Sequence, residues 1–210
     1  MINALAIGGL MVSLLAAPVP TEPETPPPAE RITIELKTVN GSGCRAGTAA
    51  VAPSPDNTSF TVTYSDYLAQ TGDGARPTDF RKNCQLVLQV NVPAGFTYAI
   101  AQADYRGFAH LQRGASGLQR ANYYFQGTSP TTSRSHTWPG PFSDNWQATD
   151  TTDVASLVYA PCGEVRYLNV NTELRVSAGS SAPSTSSFMA MDSTDGSVNT
   201  TYHFSWMRCE

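Results

Sequence analysis

Apolar and polar residues alternate along most of this chain. Ile32, Ile34 and Leu36 alternate with Thr33, Glu35 and Lys37, and Phe60, Val62 and Tyr64 with Thr61, Thr63 and Ser65. A period of two puts one set of side chains on each face of a β-strand. Leu86, Leu88, Val90 and Val92 form a third run, closed by Pro93 and Gly95. A longer strand is expected from Phe96, Tyr98 and Ile100 past Tyr105, with Gly107 as a bulge or bend. Ala121, Tyr123 and Phe125 alternate with Asn122, Tyr124 and Gln126, so both faces carry aromatic rings there. Leu168, Val170, Leu174 and Val176 share one face of another long strand, and residues 157–159 and 188–191 read as short ones. At the end, Tyr202, Phe204 and Trp206 alternate with His203, Ser205 and Met207 into Cys209. No segment keeps a helical apolar period over three turns. About nine strands between Gly, Pro and Asn turns predict an all-β fold, an antiparallel two-sheet β-sandwich with a jelly roll as one version.

The chain has 210 residues, a length that suits one such domain. Charged residues make up 14%, against roughly 25% in average domains. Gly, Pro, Ser and Thr fill the difference, as a turn-rich β protein requires. The formal net charge is -4, and the densest basic stretch, Arg76 to Lys82, is interrupted by Asp79. A nucleic-acid partner is therefore not expected.

The four cysteines, Cys44, Cys84, Cys162 and Cys209, include no C-x-x-C pair. Zinc sites usually draw on close ligand pairs, so disulfides are the better reading. Three connectivities are open. Cys44–Cys84 with Cys162–Cys209 is favoured, because each pair brackets one half of the domain. Residues 4–17 are almost wholly apolar but too short to span a bilayer, so residues 1–17 read as a secretion signal. The signal lacks an early Lys or Arg, and Pro18 crowds its end. Residues 18–30 carry six prolines and are expected to be an extended, solvated linker or tail. Residues 31–210 would then be a single β-sandwich domain. No other stretch is long enough for a transmembrane helix, and the expected location is extracellular.

Chemistry is harder to place. Asp66, Asp104, Glu164, Glu173, Asp192 and Asp195 are candidate carboxylates for glycan hydrolysis. That reaction needs two carboxyls about 5 Å or about 6.5–9.5 Å apart. The competing role is surface solubility, or pairing with Arg106, Arg120 or Arg175. No G-x-S-x-G elbow is present. Oxidised cysteines are not nucleophiles. His110, His136 and His203 share no short motif. Asp192-Ser-Thr-Asp195-Gly196 fails the calcium-loop spacing and reads as an Asp-Gly turn. No catalytic residue, metal or cofactor is assigned.

The aromatic residues suggest binding instead. Sugar rings stack on aromatic faces while amides and guanidiniums take their hydroxyls. Tyr105, Arg106, Arg120, Asn122 and Tyr124 offer that mixture in the strand pattern. Trp138 and Trp146, in a Pro/Gly-rich stretch, are expected to be an exposed loop pair. Phe96, Tyr98, Phe125 and Phe204 are expected in the core. Asn40, Asn57 and Asn199 begin N-glycosylation motifs, which would place them on the surface of a eukaryotic secreted protein.

Several motifs carry a resemblance. They include Tyr64-Ser-Asp-Tyr-Leu68, Asn83-Cys-Gln-Leu86 and Ala103-Asp-Tyr-Arg-Gly-Phe-Ala-His-Leu-Gln112. Arg120-Ala-Asn-Tyr-Tyr-Phe-Gln-Gly127, Asn169-Val-Asn-Thr-Glu-Leu174, Met191-Asp-Ser-Thr-Asp-Gly196 and Tyr202-His-Phe-Ser-Trp-Met-Arg-Cys209 extend it. Over residues 41–209 the chain resembles the small secreted proteins of domain-of-unknown-function family 4360, found in bacteria and fungi. The resemblance implies an extracytoplasmic protein and brings no activity or site residues. The expected role is a secreted, non-catalytic interaction module of the cell envelope or extracellular space. It would bind a glycan or a protein, an effector or elicitor sensed by a host being one version. The alternative is a glycan-active hydrolase using a pair of carboxylates. Oligomeric state is left open.

Overall fold

The computed structural model describes residues 25–129, 133–191 and 199–210. The expected signal, residues 18–24 of the expected linker, and the Asp192–Gly196 turn lie outside the described residues.

Twelve strands are described, and they form two antiparallel sheets. They are β1 (Thr33–Asn40), β2 (Ala49–Pro53), β3 (Ser59–Tyr64), β4 (Leu68–Thr71), β5 (Arg81–Asn91) and β6 (Phe96–Leu111). The second half supplies β7 (Ser116–Phe125), β8 (Arg134–Pro139), β9 (Phe142–Thr151), β10 (Leu168–Ser177), β11 (Ser187–Ala190) and β12 (Thr200–Arg208). One sheet has five strands in the order β1-β5-β10-β7-β8. The other has seven and is organised by β6, which pairs with β12 and then β11 along one edge and with β9 along the other.

The alternation read from the sequence decides which side chains meet between the sheets. Leu86 and Leu88 of β5, Leu168, Val170 and Leu174 of β10, and Phe60, Val62 and Tyr202 of the facing sheet are almost fully buried. Burying each such side chain is worth about 1.5–3 kcal/mol. The one polar inward residue of β10, Thr172, is satisfied by the Tyr67 hydroxyl at 3.1 Å.

The bulge in β6 lies near Ala101, where pairing with β12 slips between His203 and Phe204. Before the slip Tyr98 and Ile100 face inward; after it Ala103 and Tyr105 do. Gly107, expected to be the bulge, sits in regular pairing opposite Trp146. A Cβ there would lie 2.4 Å from the Trp146 ring and 2.0 Å from the Ala190 carbonyl oxygen. Glycine is required by this close packing.

Both favoured disulfides are formed, Cys44–Cys84 and Cys162–Cys209, with Cα atoms 5.3 and 5.8 Å apart. They close loops with separations of 40 and 47 residues. In the chain-entropy model each is worth about 4 kcal/mol. The first anchors the segment after β1 to β5 of the five-stranded sheet; the second ties the segment before β10 to the end of β12.

Residues 157–159 form no strand; a short 3-10 turn at Val154–Ser156 precedes them. Val154, Val158 and Val165 around this stretch are exposed. The end of the proline-rich segment touches the fold at two points, although Pro26, Pro27, Ala29 and Glu30 are exposed. Thr25 bridges to Trp206, Pro28 is buried, and the Asn57 amide donates to the Pro28 and Glu30 carbonyls at 2.8 and 2.9 Å. Asn57 also accepts from the Ile32 backbone N–H, and its residue exposure is 3%. Its amide nitrogen is committed inside the fold, so the expected surface glycosylation position at Asn57 is corrected to a structural one. Asn40 is exposed.

Candidate functional site

Each sheet has an outer face, built by the residues that alternate with the core. On the five-stranded sheet the register aligns these residues in rows across neighbouring strands. One row runs Ser135, Arg120, Glu173 and Asn83. The next runs Asn122, Asn171, Gln85 and Asn40. A third carries Tyr124 opposite Asn169. An open hollow of about 290 Å³ lies over the first two rows and also takes in Arg81 and Ser133.

The polar groups of this face hold one another. Asn171 donates through its amide nitrogen to Asn122 Oδ1 at 3.0 Å, and Asn122 donates to Ser133 Oγ at 3.1 Å. Ser42 Oγ donates to Asn83 Oδ1 at 3.0 Å and accepts from the Asn83 backbone N–H at 3.1 Å. Arg120 Nε donates to Ser135 Oγ at 3.0 Å. Glu173 is the centre of the first row. Arg81 donates to it through Nε at 2.8 Å and again through Nη2, and Arg175 Nη2 donates to its other oxygen at 2.9 Å. Burial works against ionisation of Glu173, yet the hydrogen bonds and charges of Arg81 and Arg175 outweigh it. Together they hold the carboxyl below the ordinary glutamate range.

Three of the seven residues expected to bind come together here: Arg120, Asn122 and Tyr124. Tyr105 does not, because it is fully buried between the sheets. Burial pushes its phenol well above the usual tyrosine range. Arg106 is exposed, but on β6 of the opposite sheet. Trp138 and Trp146 are not an exposed loop pair. They lie on β8 and β9, the edge strands of the two sheets, and their rings pack 4.9 Å apart across the open side of the sandwich. Trp146 is 2% exposed and Trp138 is packed against the core. Inward alternation on two edge strands outweighs the Pro/Gly-rich composition around them.

The carboxylates are dispersed. Asp66 pairs with Arg45, and Glu164 with Arg166. Asp104 points out from the seven-stranded sheet, so it and Glu173 lie on opposite faces of a sandwich whose layers are about 10 Å apart. Asp192 and Asp195 lie outside the described residues. The hollow contains one carboxylate, Glu173, already bound by two guanidiniums. Among the described residues no group of three or more His, Cys, Asp or Glu is placed to hold a metal ion. The face can therefore offer hydrogen bonds and positive charge, and among the described residues it pairs no base with a nucleophile.

The outer face of the other sheet carries two clusters whose members local sequence pattern does not bring together. His203 Nε2 lies 2.8 Å from Asp104, which also accepts from Gln102 at 2.9 Å and Thr149 at 2.6 Å. Burial raises the Asp104 pKa, but these hydrogen bonds and the charge of His203 hold it below the ordinary range. Farther along β6, Phe188 packs between Phe108 and His110, each ring pair 5.9 Å apart. Arg81, Asn83, Asn171 and Arg175 were also missed as site residues. Their signal was present as outward positions in alternating strands, but pairing register, which brings them together, is not written locally.

The profile of the family described as "Domain of unknown function (DUF4360)" matches residues 30–209. A protein of Arthroderma benhamiae named "Uncharacterized secreted protein" is 36% identical over 183 residues, covering 87% of this chain and 74% of the relative. Among solved structures, TmCBM61 in complex with β-1,4-galactotriose overlaps with a TM-score of 0.29 at 11% identity, over 85% of this chain and 88% of that one. The enzymatically active domain of bacteriophage CBA120 tailspike protein 4 overlaps with a TM-score of 0.23 at 10% identity, over 85% of this chain and 19% of that one. Overlaps this loose leave the function to be argued from the chain's own surface.

Proposed function

This chain is a secreted protein that belongs to the DUF4360 family, and on that footing we propose that it is a non-catalytic glycan-binding module. The ligand lies across the outer face of the five-stranded sheet. The observation that carries this reading is the interlocked set of amides and guanidiniums in and beside the hollow: Asn171 on Asn122, Asn122 on Ser133, Ser42 on Asn83, and Glu173 between Arg81 and Arg175. Sugar hydroxyls donate and accept together, and amide side chains answer both demands. Groups already fixed in place lose little further freedom when a ligand arrives, which is how a polar surface gains affinity. Tyr124, two positions along β7 from Asn122 on the same face, supplies a ring beside the amide row for the apolar side of a sugar.

The test is a glycan array probed with the purified mature protein, with product release measured on the same glycans. Binding without release, weakened about tenfold or more by Asn122→Ala/Asn171→Ala, is the expected result. Release of shortened products, or binding indifferent to that double substitution, would overturn the proposal.

A further inference from the structure

We infer that the hollow selects an acidic glycan, one carrying carboxylates such as uronic acids, over a neutral one; this deepens the binding role proposed above and rests on it. The argument begins from charge. The whole chain carries 17 acidic and 13 basic residues. The centre of the five-stranded face inverts that balance, with Arg81, Arg120 and Arg175 set against the single carboxylate Glu173. Three positive charges less one negative leave a local excess of two.

Nearby charges are more nearly balanced: Arg76 and Lys82 share Asp79, each at 2.9 Å, and at the far end of the sheet Glu35 cancels Lys37. In and around the hollow the charges are unequally used. Glu173 engages Arg81 and Arg175 and fixes both guanidiniums. Arg120 lies across from Glu173 on the adjacent strand and donates through Nε to the neutral Ser135 hydroxyl. Among the described residues, Arg120 has no carboxylate partner. Its terminal nitrogens form a planar fork that fits a carboxylate with two parallel hydrogen bonds.

A neutral sugar lying here would satisfy Asn122, Asn171 and Asn83 while covering an uncompensated guanidinium, which costs desolvation. A uronate satisfies the same amides with its hydroxyls and returns a charge to Arg120. Hydrogen bonds to charged groups are worth about twice neutral ones. The acidic ligand is therefore favoured by the difference.

Isothermal titration of the mature protein settles this with matched ligands. Tetramers of galacturonate, mannuronate and glucuronate are compared with their carboxyl-reduced counterparts, which keep ring and linkage but lose the charge. At least one acidic tetramer should bind about tenfold or more tightly than its reduced form. The advantage should shrink in about 0.5 M salt, where exposed charges are screened. Arg120→Gln should bring the two forms within about threefold of each other, while Arg106→Gln on the opposite sheet keeps the preference. Equal or tighter binding of the reduced tetramers would overturn charge selection and leave glycan binding intact. Tighter binding of a sulfated tetramer would overturn the carboxylate assignment. Failure of every tetramer, acidic and reduced, alongside an empty glycan array would overturn the inference and the binding role together.

Discussion

The two outer faces of the sandwich are built by one rule and yield different surfaces. On both, the exposed positions are simply those that alternate with the core. On the five-stranded sheet they are amides and arginines locked around Glu173. On the seven-stranded sheet they divide into the Asp104–His203 knot and the ring strip of Phe108, Phe188 and His110, with Leu68 38% exposed nearby. The difference teaches that hydrophobic alternation specifies the fold but leaves the outward letters free. Binding chemistry is written in those letters. It is readable only once register has set them side by side.

Removing the disulfides should separate the faces most sharply. Cys84 lies within the strand that carries Asn83 and Gln85. Cys44→Ala/Cys84→Ala should cost about 2–5 kcal/mol in denaturant unfolding and also weaken glycan affinity. Cys162→Ala/Cys209→Ala should cost a similar amount and leave the affinity of the folded protein unchanged. Equal loss of affinity in both would erase the distinction.

Gly107→Ala comes next. It forces a methyl against the Trp146 ring and the Ala190 carbonyl inside the seven-stranded layer. The expected cost is about 1–3 kcal/mol with no change in binding by the folded protein. A neutral effect on stability would contradict the close packing assigned to that glycine.

Acid should touch both faces through different residues. Asp104 and Glu173 each have carboxyls held below their ordinary values in the folded state. Their stabilisation is complete above the unfolded values, roughly 3.9 and 4.3, and is lost as pH falls through the lower folded ones. The denaturant midpoint should be level from about pH 7 to 5 and drop below about pH 4. Asp104→Asn should blunt that drop without altering glycan affinity, and Glu173→Gln should blunt it while loosening Arg81 and Arg175 and weakening binding. A midpoint that rises into acid would reverse the sign.

The smallest effect is expected from the ring strip. Phe108→Ala and Phe188→Ala should shift glycan affinity by less than about twofold. A larger loss would move the binding face to the other sheet.

Much of the fold was legible from local pattern, because period-two alternation is a local signal. Cysteine position was legible too, since each bonded pair brackets one half of the chain. The strands that escaped were short or had little contrast, Leu68–Thr71 being only four residues long. Ala49–Pro53 is mostly small residues, and Arg134–Pro139 with Phe142–Thr151 is largely polar because both are edge strands. That second gap explains why Trp138 and Trp146 were expected in a loop. The site was half legible. Arg120, Asn122 and Tyr124 stand consecutively on one side of one strand, whereas Arg81, Asn171 and Glu173 join them only through pairing across 92 residues of sequence between Arg81 and Glu173. Tyr105 was misplaced because outward and inward positions exchange at the Ala101 bulge, which leaves no mark in composition.

The most direct measurement is an NMR titration of the isotopically labelled protein with the tightest oligosaccharide from the array, following backbone and side-chain amide signals. The account predicts that the largest shifts fall on Asn83, Arg120, Asn122, Asn171 and the Arg81 and Arg175 guanidiniums, with the Phe108, His110 and Phe188 region still. Shifts concentrated on that aromatic strip, with the arginine and asparagine signals unmoved, would contradict it.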